Sequence, residues 1–239
     1  MLKKILFFVF LFCTVIGLTG CGKEEKIIER NKDFDKYTGI YKLDNKYFKI
    51  VHYNGCIAVR YGDGTKSESI NAMPIVDNVA TAYGVFDIEL KEDSIIVKGI
   101  NTGQNSSEYS AYDGEYKLAS EYTTDEIYKD LASQIPIGES RDGVYKNGDE
   151  VLYVAQDSLL TIKLYKKVED YYSSIEITAS DNDIFDDTIE KTFYKAQFDG
   201  NKMKLDVNPV HEHDLFKPGE YTKTSDLTKV EVIKLLVFE

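Results

Sequence analysis

The sequence predicts a mainly β protein (β-rich α+β): two tandem antiparallel β units, each a small barrel or curved sheet closed by a short helix. Three observations predict it. Only four prolines occur in 239 residues, and Tyr, Ile, Val and Thr are frequent, which suits pleated strands. Two landmarks are duplicated at nearly equal offsets. Gly39-Ile40-Tyr41-Lys42 recurs as Gly143-Val144-Tyr145-Lys146, and Gly114-Glu115-Tyr116 recurs as Gly219-Glu220-Tyr221. Between the landmarks, apolar residues alternate with polar ones and are broken by turn signals.

In the first unit, Asn54-Gly55 is a strong signal for a two-residue hairpin, since both residues tolerate positive φ. That turn sets Tyr53 opposite Cys56 and pairs Phe48 with Tyr61, Ile50 with Val59 and His52 with Ile57. One largely apolar face results, as a half-buried hairpin requires. Val79 to Leu90 reads as a further alternating strand, turned by Lys91-Glu92-Asp93-Ser94 so that Ile95 and Val97 rejoin Phe86, Ile88 and Leu90. In the second unit, Gly200-Asn201 pairs Phe198 with Met203, Ala196 with Leu205 and Tyr194 with Val207. Leu152 and Val154 face Ile162 and Leu164 if the loop is Asp157-Ser158-Leu159, a three-residue turn with a bulge.

Each unit ends in a capping-box spacing, Thr123 with Glu126 and Thr228 with Glu231. Helices are therefore expected near 124–133 and 229–236, although the β-branched run Val230 to Phe238 reads equally well as a final strand. The connector, Ser133 to Ser140, is short, so the units are expected to pack together.

The first residues carry a different message. Met1-Leu2-Lys3-Lys4 is basic, and Ile5 to Leu18 is apolar apart from Cys13, Thr14 and Gly17. About fourteen residues fall short of the ~20 that span a bilayer as a helix and match a secretory signal. The run ends in Leu18-Thr19-Gly20-Cys21, which resembles the lipobox of bacterial lipoproteins. The resemblance implies cleavage before Cys21 and diacylglycerol on its thiol. Two acyl chains would hold the protein on the extracytoplasmic face of the cell membrane. The expected organisation is a signal peptide at 1–20, lipidated Cys21 with a charged tether at 21–35, and β-rich repeats at 36–136 and 137–239.

Removing residues 1–20 takes away two lysines and no acids, leaving 27 basic against 41 acidic groups. Such a balance argues against nucleic acid, whose binders present a basic face. Cys21 and Cys56 would be the only remaining cysteines, so no internal disulfide is expected.

Candidate chemistry is sparse. His211-Glu212-His213-Asp214 has the donor types of a metal site but lacks the helical H-E-x-x-H spacing. The first unit has Ser106-Ser107-Glu108-Tyr109 at the equivalent place. Asp181-Asn182-Asp183 with Asp186-Asp187 fails the EF-hand pattern, which needs Gly sixth and Glu twelfth. His52 reads as a core or rim histidine and Cys56 as a small buried hydrophobe. The expected function is a non-catalytic binding or interaction module of the cell envelope, with an envelope ligand or protein as partner and no cofactor beyond the lipid. A barrel mouth, a concave sheet or the groove between the units would supply the binding bed. The alternatives are a metal-dependent hydrolase using His211, Glu212, His213 and Asp214, and a structural or inhibitory protein docking by its sheet edge or acidic face.

Overall fold

The computed structural model describes residues 27–82, 84–100, 109–131, 141–158, 161–181, 184–186, 194–208 and 215–239. Two closed eight-stranded antiparallel barrels follow one another along the chain. The first comprises β1 (Gly39–Leu43), β2 (Lys46–Tyr53), β3 (Cys56–Gly62), β4 (Ser67–Val76), β5 (Val79–Ala82), β6 (Phe86–Leu90), β7 (Ser94–Gly99) and β8 (Gly114–Ser120). The second comprises β9 (Gly143–Asn147), β10 (Glu150–Gln156), β11 (Thr161–Val168), β12 (Tyr171–Asp181), β13 (Ile184–Asp186), β14 (Tyr194–Asp199), β15 (Lys202–Val207) and β16 (Gly219–Ser225). Helix α1 (Thr124–Leu131) follows the first barrel and α2 (Lys229–Phe238) the second.

The hairpin registers are those the turn residues dictate. Asn54 and Gly55 both have positive φ, +49° and +75°, the requirement of a type I′ turn. Tyr53 pairs with Cys56, and His52, Ile50 and Phe48 pair with Ile57, Val59 and Tyr61. Tyr194, Ala196 and Phe198 pair with Val207, Leu205 and Met203. The inward sets are buried and fill each barrel with side chains, as an eight-stranded interior permits.

Two expected strands differ. Val79 to Leu90 is a hairpin, not one strand: Val85 N–H donates to the Ala82 carbonyl, Gly84 takes φ +78°, and β5 pairs back on β6. The β10–β11 loop is longer than three residues. Val154 pairs with Leu164 and Gln156 with Ile162, because Asp157 and Ser158 both donate their N–H to the Thr161 carbonyl. The register moves by two, so every side chain keeps its face.

The duplicated motifs turn out to be the closure seams. Each Gly-x-Tyr begins the first or last strand of a barrel, and those strands pair with each other, β1 with β8 and β9 with β16. The glycines admit the neighbouring strand: a Cβ at Gly143 would lie 2.9 Å from the Ser225 carbonyl oxygen, and one at Gly39 would lie 2.5 Å from Leu118 Cδ1. The tyrosines point inward and are buried. Tyr41, Tyr116, Tyr145 and Tyr221 each donate their hydroxyl to the carbonyl four residues upstream, at 3.0, 2.9, 3.1 and 2.8 Å. Each phenol thereby spares a buried polar atom the 1–3 kcal/mol or so of going unpaired.

Both helices carry their capping boxes. Glu126 N–H donates to Thr123 Oγ1 while Thr123 N–H donates to the Glu126 carboxylate, and Thr228 and Glu231 repeat the exchange. The cap decides the ambiguous segment in favour of helix. Val232, Ile233, Leu235, Leu236 and Val237 are all buried, on several sides of α2, which a helix shows only when it is enclosed. It lies between the barrels. Its neighbours are outward residues of the first barrel (Ile40, Val51, Ala58), outward residues of the second (Ala155, Tyr165), and Ile127 of α1. Tyr165 donates its hydroxyl to the Leu235 carbonyl at 2.7 Å, and Lys229 of α2 pairs with Asp125 of α1.

The expected tether is shorter than its charge suggests. Arg30 donates to the Tyr41 hydroxyl and pairs with Asp93, Asn31 donates to the Tyr122 carbonyl, and Phe34 is buried. Residues 30–35 therefore lie along the first barrel, because their polar and aromatic groups find partners there. Ile27, by contrast, is exposed.

Candidate functional site

On the flank of the first barrel, β2, β3 and β4 present their outer faces beneath α1. A concavity of about 210 Å³ opens there. Its floor is apolar, with Val51, Ala58, Ile127, Leu131 and Val237, and its wall carries Lys49, Arg60, Tyr122 and Asp130. Lys49 and Arg60 are directly opposed across the β2–β3 ladder. Like charges so placed repel unless an anion lies over them. Asp130 supplies it: its carboxylate accepts from Lys49 Nζ at 2.6 Å and from the Tyr122 hydroxyl at 2.8 Å. Arg60 donates to the Asp130 carbonyl at 3.0 Å and to Ser67 Oγ at 3.1 Å. Burial, then the Asp130 charge, pushes the Tyr122 phenol well above its ordinary value. These four residues were not singled out in the sequence, although the cross-strand pair of cations would have asked for an acid.

A second concavity, of about 250 Å³, lies at the mouth of the same barrel. Tyr61, Tyr109 and Tyr112 ring it, beside the β3–β4 turn. The Tyr61 and Tyr112 rings meet edge to face at 5.2 Å, and Tyr61 donates to the Glu68 carboxylate at 2.6 Å. Asp63 shapes the turn by accepting from the Thr65 hydroxyl and from the N–H groups of Thr65 and Lys66. Those bonds hold its carboxyl down at about 2. The groove between the barrels, expected as a binding bed, is occupied by α2.

His52 sits near the C-terminal end of β2. Its Nε2 is 3.7 Å from Asp35, its ring is 5.1 Å from that of Tyr37, and its Nδ1 has no partner among the described residues. The equivalent position in the second barrel holds Gln156, also buried. A side chain just before the Gly-x-Tyr motif, Thr38 or Asp142, accepts the backbone N–H of each. The position is thus a structural device shared by the two barrels. Burial lowers its pKa from 6.5, opposed in part by Asp35.

A pH dependence follows. The unfolded chain binds the His52 proton more readily than the folded chain. Stability from this group is full above about pH 6.5 and declines as pH falls from there towards the lowered folded value. His52→Gln is expected to flatten that part of the profile. Urea midpoints of both proteins at pH 7.5 and 5.5 measure it, and an unchanged slope would assign the acid sensitivity to other groups.

The other candidates divide simply. Leu18 to Cys21 and His211, Glu212, His213 and Asp214 lie outside the described residues, as do Ser106, Ser107 and Glu108. Among the described residues, no three His, Cys, Asp or Glu side chains gather as a metal site. Cys56 is a free, half-buried thiol rather than a fully buried one.

No protein-family model and no curated protein matches the chain. Among solved structures it shows a likeness to the DNA polymerase III beta subunit of Thermotoga maritima, at 12% identity over 83% of this chain and 60% of that one, with a TM-score of 0.15. It also resembles the DNA polymerase sliding clamp of Pseudomonas aeruginosa, at 11% identity over 84% and 59%, with a TM-score of 0.15. The chain spans about 60% of the length of these proteins.

Proposed function

We propose that the protein is a lipid-anchored module of the cell envelope that binds a ligand or partner without transforming it. One observation carries the binding role. At the flank concavity the ionisable groups are spent on one another, with Lys49 and Tyr122 on the Asp130 carboxylate and Arg60 on its carbonyl. A general acid or base must be free to exchange its proton with a substrate. An apolar floor with a few fixed polar groups is instead the composition of a binding pocket. The anchor rests on Leu18-Thr19-Gly20-Cys21 and its resemblance to a lipobox.

Thermal-shift measurements against wall fragments, lipids, peptides and metal ions test the role. A ligand at a hundred times its Kd adds about 2.7 kcal/mol of stability. In a chain of this size that is a rise of roughly 5–10 °C in Tm. Turnover of a substrate, with no stabilisation by any class, would defeat the reading. The anchor has its own test. Cys21→Ala should abolish incorporation of a clickable fatty acid and release the protein from membranes, and a variant that stays labelled removes the anchor.

A further inference from the structure

A closed barrel ordinarily has no free edge, yet among the described residues the first barrel keeps one. The ladder between β3 and β4 runs from Ser67 to Pro74, whereas β5 pairs with Ile75 and Val76 alone. Along Ser67 to Met73, the side of β4 away from β3 has no ladder partner among the described residues. Its N–H directions follow from the turn. A two-residue type I′ loop makes Tyr53 and Cys56 a hydrogen-bonded pair, and the alternation of an antiparallel ladder then turns Val59 and Tyr61 towards β4. Their partners Ile70 and Glu68 point back at β3. Ser67 and Ser69 between them direct their N–H and C=O groups outward. Beyond Asn71 the bulge at Ala72, with φ +51°, and then Pro74 end the regular edge.

Both concavities open beside this strand, one on each face. Ser69 and Asn71 line the apolar flank hollow, and Ser67 and Glu68 line the tyrosine-ringed mouth. In an added strand, successive side chains point to opposite faces. Such a strand on β4 would therefore place its side chains alternately in the two hollows.

We propose that Ser67 to Asn71 is the docking edge for an extended segment of a partner protein, added to the first barrel as a further strand and alternating apolar with basic residues. A row of N–H and C=O groups at ladder spacing is complementary to another extended backbone, and an acyl chain offers it no hydrogen bonds. Apolar side chains suit the floor of Val51, Ala58, Ile127 and Leu131. The mouth sets Asp63 and Glu68 against Lys46 and Lys66, with Lys46 already 5.8 Å from the centre of the Tyr112 ring, so the net charge of −12 is what favours a basic segment over an acidic one. The site names the partner class for the binding role proposed above, and rests on that role.

The probe is a blocked heptapeptide of alternating Lys and Val, presented to the full mature chain. Binding should slow hydrogen exchange of the Ser67 and Ser69 amides at least tenfold. The same peptide N-methylated at alternate residues should bind at least tenfold more weakly. Ser69→Pro removes an outward N–H at an edge position and should abolish binding while the second barrel keeps its exchange protection. The N-methylated peptide tests the point even where that variant folds poorly. Equal binding of the N-methylated peptide, protection confined to other strands, or no peptide binding would each overturn the edge site. Stabilisation by wall fragments or lipid vesicles without protection of β4 overturns the edge and leaves the binding role standing, whereas substrate turnover without stabilisation removes both.

Discussion

Ile233→Ala is expected to destabilise the protein by about 2–5 kcal/mol, the range for emptying a fully buried aliphatic site that relaxes only in part. Ile233 is wholly buried in α2, where the outer faces of both barrels and α1 converge. Set against a total of roughly 5–15 kcal/mol for a folded domain, that is a large loss. Its form should be distinctive. With α2 loosened, the barrels lose their shared packing and should unfold as two transitions in urea where the parent unfolds as one. Ile233→Leu keeps the volume and should stay within about 1.5 kcal/mol. A loss below about 1 kcal/mol for the alanine variant would mean that α2 is not the wedge between the barrels.

Phe48→Ala should be as damaging, at about 3–5 kcal/mol, but confined to the first barrel. Phe48 is fully buried at the centre of its aromatic core, with the rings of Tyr61, Phe86, Tyr112 and Tyr116 at 5.6, 5.5, 6.0 and 4.8 Å. Three of the four pairs meet edge to face, a geometry that adds about 0.5–1.5 kcal/mol beyond area burial. The second barrel has Leu152 at the equivalent place, also fully buried. Phe48→Leu should therefore be tolerated better than Phe48→Ala. Hydrogen exchange resolves the location: amides of β2, β3 and β6 should lose protection while β10 and β11 keep theirs. Equal loss in both barrels would contradict a core divided between them.

The parts of the fold governed by local chemistry could be read from the chain. Asn54-Gly55 set a register that the period of two then carried along the strands. The two capping boxes marked where helices begin. What the repeated Gly-x-Tyr motifs do was not legible, because barrel closure joins residues some eighty positions apart, Tyr41 with Leu118 and Tyr145 with Lys223. Val79 to Leu90 misled because the alternation continues through a turn that only Gly84 announces. In Val230 to Phe238, β-branched propensity left strand and helix equally open, and the Thr228–Glu231 capping box with enclosure on several sides made the expected helix. The flank site stayed hidden for a similar reason: Lys49, Arg60, Tyr122 and Asp130 come from β2, β3, the segment after β8, and α1.

The position of α2 has a consequence for the order of synthesis. It is the last of the described elements, and it covers Ile40, Val51 and Ala58, which are made some 170 residues or more before it. While the chain is still emerging, the first barrel can close its own seam but must leave that outer apolar strip wet. A chain truncated after the first barrel should retain the strip and tend to self-associate. The early unit is thus held hostage to the late one, and a nascent chain stays sticky until its last helix arrives.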